Sequence, residues 1–307
     1  MRIVHTRKRV FEKGDFAFSN KMTLLVWILS ILKWKEFDNE VVLYCDESTL
    51  NDIKEFGFEH LYDEINDTLL DDELVCKGID FYCYWAMPKL LALRHETVDL
   101  GNEVVIADQD VVPMIDFSIM WELSDVVVWS NKEYIEFKKT IYPKIEHLSL
   151  PEGYTLPEWF SGNAKPLNTG ILYIKDKNVV DLFTSEAIMM ATDNHNEKHN
   201  SNTITMCNIE QRLLGELVKY LKLNVSIVQP VDQGLFNYNG FHTHGYKSII
   251  NNDNGLLWHL NLLLLIRQKD IDMFNKLVEH PLFKDEKDYF TKYGANCDLL
   301  DELSIYY

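Results

Sequence analysis

Residues 103–110, EVVIADQD, decide the fold of this chain. The apolar run that ends at Ala107 is too short for a typical helix, so it predicts a strand over residues 103–107 that is buried on both faces of a sheet. The strand ends abruptly in Asp108-Gln109-Asp110. Because ligands of open α/β sheets bind beyond the carboxyl ends of the strands, the same stretch marks a candidate binding site.

Strands and helices are predicted to alternate along the rest of the chain. Short apolar runs predict further strands at residues 2–6, 40–45, 58–62, 125–129, 171–174, 225–228 and 256–260. Longer segments predict helices at residues 18–34, from the capping residue Ser48 onward, at 82–95 with Pro88 as a local interruption, at 179–192 and at 209–221. This alternation predicts an α/β fold with a mostly parallel central sheet flanked by helices, followed by a helical C-terminal segment over residues 270–307.

Composition and charge exclude several classes of protein. Of the 307 residues, 30 are basic and 48 are acidic, which gives a formal net charge of −18. Such a negative field opposes binding to nucleic acid and to anionic membrane surfaces. Five cysteines without a CxxC pair argue against a disulfide scaffold and a four-cysteine zinc site. The N-terminal sequence lacks a signal-peptide pattern, and the apolar run at residues 22–32 is shorter than a bilayer span. We therefore expect a cytoplasmic protein with no transmembrane segment.

The carboxylates of Asp108 and Asp110 are the sharpest chemical signal. Lying one residue apart in a tight turn, they can converge on one hard divalent cation, and Mn²⁺ or Mg²⁺ prefers a few carboxylates together with phosphate oxygens. A solvated strand end that carries acidic residues is the alternative. The sequence contains neither GxGxxG nor GxxxxGK[ST], so a bound diphosphate would be carried by the metal rather than by a glycine-rich loop.

Three further motifs follow this acidic turn along the chain. They are Asn168-Thr169-Gly170-Ile171-Leu172 before a strand, Glu210-Gln211 at a helix start, and the late pair Trp258-His259. Together with residues 84–93, YWAMPKLLAL, the series resembles the GT-A class of nucleotide-sugar glycosyltransferases over about residues 1–265. It is most similar to family eight, which includes glycogenin-like and lipopolysaccharide galactosyltransferase-like enzymes.

The resemblance implies a Rossmann-like GT-A fold as one catalytic domain over residues 1–269. Its nucleotide-binding half would comprise residues 1–130 and its acceptor half residues 131–269, with residues 270–307 as a helical extension packed on it. Residues 142–166 are rich in loop-forming residues and are interpreted as a long functional loop rather than a domain boundary.

The resemblance also implies roles for individual residues. Asp110 would bind the metal directly, Asp108 would bind the metal or the ribose, and His259 would complete the metal site. The residues implied at the nucleotide sugar are His5, Thr6, Asp46, Lys89, Asp108, Gln109, Thr169 and Gly170. The residues implied in catalytic positions at the reacting sugar are Asn168, Glu210 and Gln211.

Several of these assignments have alternatives. After His259 the chain reads LNLLLL and lacks the lysine found after the family's late histidine, so His242 and His244 compete for the metal. Lys89 is interpreted either as a phosphate-binding residue or as a surface lysine. Ordinary strand-end polarity is the alternative for His5, Thr6 and Asp46.

Two other groups of residues have a functional and a structural interpretation. One basic cluster either offsets the charge of a diphosphate or is a solvated loop: Arg7, Lys8, Arg9 and Lys13. Another group in the long loop either recognises a sugar or anchors the loop: Trp159, Phe160, Asn163 and Lys165.

The function implied by the resemblance is transfer of a sugar from a nucleoside diphosphate sugar, a UDP-sugar, to a hydroxyl acceptor with retention of configuration. An inverting enzyme would instead need a carboxylate base, for which Glu210 and Asp232 are the candidates. The acceptor stays open among glycan, lipid and protein. The rival classes are a metal-dependent nucleotidyltransferase or phosphohydrolase, and an inactive nucleotide-sugar-binding module.

Overall fold

The computed structural model describes residues 1–9, 20–131, 150–194, 206, 208–229, 240–242 and 255–294 of the chain. A seven-stranded sheet lies at its centre, with the strand order β3-β2-β1-β4-β7-β6-β8. Its strands are β1 (Arg2–Arg7), β2 (Glu40–Cys45), β3 (Glu64–Asn66), β4 (Val104–Ala107), β6 (Val126–Ser130), β7 (Asn168–Ile174) and β8 (Val225–Ile227). A separate antiparallel pair comprises β5 (Val111–Pro113) and β9 (Gly240–His242).

Most neighbouring strands of the central sheet run parallel. β1 pairs in parallel with β2 and with β4, β2 with β3, and β6 with β8. β7 is antiparallel to both β4 and β6. The chain therefore leaves β1 for β2 on one side, while β4 lies on the other side of β1. This reversal of strand order opens a crevice at the carboxyl ends of β1 and β4.

Helices cover both faces of the sheet. They are α1 (Lys21–Glu36), α2 (Glu47–Phe56), α3 (Met87–Arg94), α4 (Ser118–Leu123), α5 (Lys177–Ala191), α6 (Leu213–Leu221), α7 (Gly255–Lys269), α8 (Ile271–Glu279) and α9 (Lys284–Tyr293). Successive side chains of a strand point to opposite faces. In β1, Ile3 packs into one core with α1 and α7, and Val4 packs into another with α3, α5 and α6. The α/β fold with a mostly parallel sheet flanked by helices is confirmed.

The C-terminal helices are joined to the body of the fold by a buried carboxylate. Glu286, on α9, is fully buried, and its carboxylate lies 2.9 Å from Nζ of Lys21 on α1 and 2.8 Å from Nδ1 of His259 on α7. The predicted helical C-terminal segment is confirmed as far as Tyr293, and residues 295–307 lie outside the described part. The predicted division of the chain at residue 269 stays a prediction.

Two predicted strands are wrong. Residues 58–62 contain the 3₁₀ turn Glu59–Leu61, and strand β3 begins only after it. Residues 256–260 belong to helix α7, because the apolar run continues to Ile266 and has the length of a helix rather than of a strand. The helix buries this run between α1 and α8.

Two helix starts also differ from the prediction. The N-terminal cap of α2 is Asp46 rather than Ser48, and Oδ1 of Asp46 accepts a hydrogen bond from the N–H of Thr49 at 3.0 Å. Pro88 does not interrupt a helix, because it lies in the first turn of α3, where a proline need not donate. The segment before it forms turns, and α3 continues into the π-turn His95–Asp99.

Candidate active site

The predicted residues of β1 and β4 meet at the crevice between these two strands. His5 and Thr6 lie near the carboxyl end of β1, and Asp108-Gln109-Asp110 form the turn directly after β4. The side-chain amide of Gln109 donates a hydrogen bond to the backbone oxygen of Thr6. This bond ties the acidic turn to β1 across the crevice.

A buried lysine lies at the centre of the site. Lys89, on α3, is only 7% exposed, so its interpretation as a surface lysine is wrong. Its Nζ lies 2.9 Å from Oδ1 of Asp108 and 2.7 Å from Oε1 of Glu210, and it donates to the backbone oxygen of Thr169 at 3.3 Å. We refer to these four residues as the Lys89 cluster. Because each comes from a different segment, the cluster joins α3, the turn after β4, the start of β7 and the turn before α6.

The ammonium group of Lys89 forms ion pairs with two carboxylates. Burial by itself would lower the pKa of Lys89, but the carboxylates of Asp108 and Glu210 outweigh burial and raise this pKa above the usual lysine value. Burial raises the pKa of Glu210, and repulsion from Asp108 adds to this effect against the attraction of Lys89. Lys89 therefore keeps its charge inside the fold, with Asp108 and Glu210 as its ion-pair partners.

Glu210 and Gln211 lie on a second π-turn, Asn208–Arg212, which precedes α6. Turns of this kind are frequent at functional sites. Both side chains are buried. Oε1 of Glu210 accepts a hydrogen bond from Oγ1 of Thr169, and the backbone oxygen of Gln211 accepts one from the N–H of Leu167 at 3.1 Å. The π-turn is thereby fastened to the start of β7.

The segment Asn168-Thr169-Gly170 begins β7 and closes the network. Oδ1 of Asn168 accepts a hydrogen bond from the N–H of Gly170 at 2.8 Å. The oxygen of Gly170 in turn accepts one from the N–H of Asp108, also at 2.8 Å. Three motifs that lie far apart in the chain are therefore brought together, while their roles at a nucleotide sugar stay predictions.

A buried relay of three aromatic side chains ends at the crevice. Nε1 of Trp27 donates to the hydroxyl of Tyr62 at 2.6 Å, and this hydroxyl lies 3.2 Å from Nδ1 of His5. An indole N–H can only donate, so the hydroxyl of Tyr62 accepts from Trp27; we predict that its own proton is directed at Nδ1 of His5, which places the proton of the neutral imidazole on Nε2. Burial lowers the pKa of His5 to about 3, although the carboxylate of Asp110 opposes the change, so the ring is neutral. Nε2 of His5 is buried with no hydrogen-bond partner among the described residues.

Two of the predicted site residues form hydrogen bonds with partners outside the Lys89 cluster. His259 lies on helix α7 rather than in a strand, and its Nδ1 is bonded to Glu286. Asp46 caps α2, and its Oδ2 accepts a hydrogen bond from the N–H of Arg9 at 3.0 Å. The strand placement of His259 is wrong, whereas its role at the metal and the role of Asp46 at the nucleotide stay predictions.

Two members of the basic cluster are bound to neighbouring side chains. Nζ of Lys8 lies 3.0 Å from Oδ1 of Asp71, and Nη1 of Arg9 donates to Oγ of Ser48 at 2.6 Å. These contacts hold the segment after β1 against its neighbours. Lys13 lies outside the described residues.

Strand β9 brings His242 beside the acidic turn at the level of the backbone. Its pairing with β5 places residue 242 opposite Val111, which directly follows Asp110. The other competing residues, His244 and Asp232, lie outside the described part of the chain. Among the described residues, no group of three or more His, Cys, Asp or Glu side chains is arranged to hold a metal ion.

A family model matches residues 1–292 of the chain. The chain belongs to a family of unknown function, DUF6734. Among solved structures it is similar to the PaToxG glycosyltransferase, with 11% identity and a TM-score of 0.36 over 92% of this chain and 78% of that one. It is also similar to S. aureus TarS 1–349, with 12% identity and a TM-score of 0.36 over 96% of this chain and 74% of that one. No curated protein matches the chain. In the part of the chain that the structure describes, no helix combines the length and the apolar character needed to cross a membrane.

The loop that precedes β7 in this DUF6734 chain is docked on α6. The carboxylate of Glu216 is buried and accepts hydrogen bonds from the N–H and Oγ of Ser161, at 3.0 and 2.7 Å, and from the N–H of Ala164 at 2.8 Å. A Cβ added to Gly215 would lie 2.1 Å from the backbone oxygen of Lys165. Glu216 was not predicted, although an acidic residue inside the apolar stretch LLGEL is a detectable signal.

The aromatic and polar residues of this loop support its interpretation as an anchored segment. Trp159 stacks on Tyr220, with ring centroids 6.3 Å apart, and Phe160 is buried. Oδ1 of Asn163 accepts a hydrogen bond from Nζ of Lys219. The loop is therefore held by the same helix that follows the π-turn of Glu210 and Gln211.

Proposed function

We propose that the chain is a metal-dependent glycosyltransferase that moves a sugar from a nucleoside diphosphate sugar, with UDP as the nucleotide, to a hydroxyl acceptor. The observation that carries this proposal is the convergence of the Asp108 turn, the Asn168 segment and the Glu210 π-turn around Lys89. These segments meet at the carboxyl end of β4, on the edge of the sheet where open α/β folds bind their ligands.

The acidic turn has the chemistry that Mn²⁺ or Mg²⁺ requires. Asp108 and Asp110 are partly exposed, so their carboxylates are accessible to a hard cation and to phosphate oxygens. These two residues would hold the cation, and His242 is the candidate third ligand because β9 places its backbone beside the turn. When bound, the cation supplies positive charge that stabilises the leaving diphosphate.

The other residues of the crevice divide between the nucleoside and the sugar. His5 and Thr6 would border the nucleoside at the end of β1, where Nε2 of the neutral His5 is buried without a hydrogen-bond partner among the described residues. Gln109 would keep the acidic turn in place through its bond to Thr6. Asn168 and Gln211 would border the transferred sugar.

The surroundings of Glu210 favour retention of configuration. Its Oε1 already accepts hydrogen bonds from Lys89 and Thr169, and the side chain is buried. A general base of an inverting enzyme has to reach the hydroxyl of the acceptor and take its proton. A carboxylate held in this way is poorly placed for that task, and Glu210 instead orients Lys89 and the start of β7.

The test is Mn²⁺-dependent binding of UDP by isothermal titration calorimetry, with the parent chain and the variant Asp110→Asn. We expect the parent to bind UDP only with Mn²⁺ present, and the variant to bind at least about 10-fold more weakly with an unchanged melting temperature. Asp288→Asn, an exposed change on α9, is the matched control and should bind as the parent does. A parent that does not bind UDP in the presence of Mn²⁺ would show the proposed function to be wrong.

The products of turnover separate this function from its rivals. With a panel of UDP-sugars, a glycosyltransferase releases UDP, slowly to water when no acceptor is present. Release of phosphate or pyrophosphate would instead support a phosphohydrolase or a nucleotidyltransferase. Binding of UDP without any turnover on the full panel and on candidate acceptors would support the inactive binding module.

A further inference from the structure

The Lys89 cluster has the form of a cation site that the protein fills with its own ammonium group. Nζ of Lys89 is 2.9 Å from Asp108, 2.7 Å from Glu210 and 3.3 Å from the backbone oxygen of Thr169. Two carboxylates and a carbonyl around one point provide the all-oxygen surroundings that hard divalent cations prefer. Because Lys89 and Glu210 are buried, this group of oxygens lies inside the fold rather than at the surface. We call this place the inner site.

We propose that Lys89 is a positioning residue that occupies the inner site and thereby keeps the divalent cation on the outer side of Asp108, next to Asp110. The inference rests on the proposed function, because it concerns the cation assigned to these two aspartates. Lys89 acts through the carboxylates that it binds and does not touch the reacting atoms.

The backbone of α3 keeps the ammonium group in the inner site. Met87, Leu90 and Leu91, the neighbours of Lys89 on this helix, are buried in the apolar core, so the helix is firmly packed. The ammonium group is covalently attached and cannot dissociate. A divalent cation that entered the inner site would meet a positive charge within hydrogen-bonding distance of the same oxygens, and this repulsion is strong in a buried place.

The side chain of Asp108 links the inner site to the crevice. Its Oδ1 is bound to Lys89, yet 24% of the side chain is exposed, so the same carboxylate is also accessible from outside. Asp110 follows two residues later on the same turn. A cation held by Asp108 and Asp110 therefore lies on the open side, where the diphosphate of a donor can reach it.

The variant Lys89→Met tests the inference, because it removes the charge and keeps an unbranched apolar stem. The measurement is the dissociation constant and stoichiometry of Mn²⁺, from the electron paramagnetic resonance signal of the free ion with the full chain. We expect Mn²⁺ to bind at least about tenfold more tightly, or a second ion to bind, because the vacated inner site leaves two carboxylates facing each other. A lysine that is merely structural predicts the opposite, since its loss would disorder the ligands and weaken binding.

Two further variants control for charge and for the second carboxylate. Lys35→Met removes one positive charge from an exposed pair with Asp63 and should leave the affinity for Mn²⁺ within about twofold of the parent value. The double variant Lys89→Met/Glu210→Gln also removes the carboxylate charge of Glu210 from the inner site. It should therefore lose the higher affinity for Mn²⁺ expected of Lys89→Met. If Lys89→Met does not fold, Lys89→Gln keeps a side-chain donor for the carboxylates and should shift the affinity in the same direction.

The inference and the proposed function fail in different ways. Unchanged or weaker Mn²⁺ binding by a folded Lys89 variant, with a parent that binds Mn²⁺ through Asp110, overturns only the inference. If the parent binds no Mn²⁺ even with UDP present while Lys89→Met does, the metal-dependent function is overturned, and with it the placement of the parent's cation next to Asp110. The absence of Mn²⁺ binding in both proteins, with and without UDP, overturns both.

Discussion

The carboxylate that anchors the C-terminal helices gives a quantitative prediction. Glu286 accepts hydrogen bonds from Nζ of Lys21 at 2.9 and 3.1 Å, and from Nδ1 of His259 at 2.8 Å. These bonds join α9 to α1 and α7. The change Glu286→Gln keeps the shape of the side chain but removes its charge, so Lys21 loses its counter-ion.

The cost of this change follows from burial. Removing one partner of a buried ion pair destabilises a protein by about 3–5 kcal/mol, because the remaining charge is left without compensation. The side chain of Lys21 is 21% exposed, so water partly compensates its charge and the lower limit applies. A loss of about 3 kcal/mol should lower the melting temperature by about 6 °C, at about 2 °C per kcal/mol for a chain of this size.

The effect of Glu286→Gln has a defined dependence on pH. Burial raises the pKa of Glu286, but the hydrogen bonds from His259 and Lys21 outweigh burial and lower this pKa below its ordinary value of 4.5. The fold therefore favours the carboxylate, and its stabilisation is complete above the pKa of the unfolded chain. The stabilisation is lost as the pH falls through the lower pKa of the folded state, so the difference in stability between parent and variant should shrink as the pH is lowered from 7 to below 4.5.

The assay is urea unfolding at pH 7 and pH 4, monitored by circular dichroism. The slope of the unfolding free energy against urea concentration should be the same for parent and variant. Glu279→Gln is the matched control, because Glu279 pairs with Lys287 on the surface. This change should lower the free energy of unfolding by less than about 0.5 kcal/mol. A Glu286→Gln variant that unfolds within about 0.5 kcal/mol of the parent at pH 7 would refute the role of the buried carboxylate as an anchor.

Two further predictions concern the supports of the site. Gly215→Ala would place a Cβ 2.1 Å from the oxygen of Lys165, so α6 and the loop must separate at a cost of about 1–3 kcal/mol in urea unfolding. Hydrogen exchange should then accelerate in residues 157–167, and unchanged exchange and stability would contradict the close approach. Tyr62→Phe removes the hydroxyl that bonds to Trp27 and His5 and should cost about 1–3 kcal/mol. In ¹⁵N NMR spectra the His5 ring of the parent should carry its proton on Nε2, and a proton on Nδ1 would contradict the relay.

The strands around the crevice were predictable because they are buried on both faces. β2 has the predicted bounds, and β1 and β4 each differ from the prediction by one residue at one end. Continuous apolar runs bounded by polar residues produce this signal. Helix α7 contains a similar run, and only its length and its packing against α1 distinguish it from a strand. Strands β5 and β9 have three residues each, which is too short for a periodic pattern.

The composition of the candidate site was only partly predictable. Asp108 and Gln109 follow from the end of a strand, and the Asn168 and Glu210 motifs were expected at the same site from the resemblance. The burial of Lys89 was not expected, because lysine is rarely buried unless paired charges compensate it. Those charges come from segments that are distant in the chain, so no local pattern reveals them.

The sequence by itself determined which segments can form buried strands and where carboxylates follow one of them, because both properties depend on neighbouring residues. The tertiary structure alone decided that Asp108 and Glu210 share the ammonium group of Lys89, and that His259 forms a hydrogen bond with Glu286. Each of these contacts depends on how the sheet and its helices pack. Interactions between distant charged groups become strong only where packing removes water around them, and this condition is a property of the folded chain.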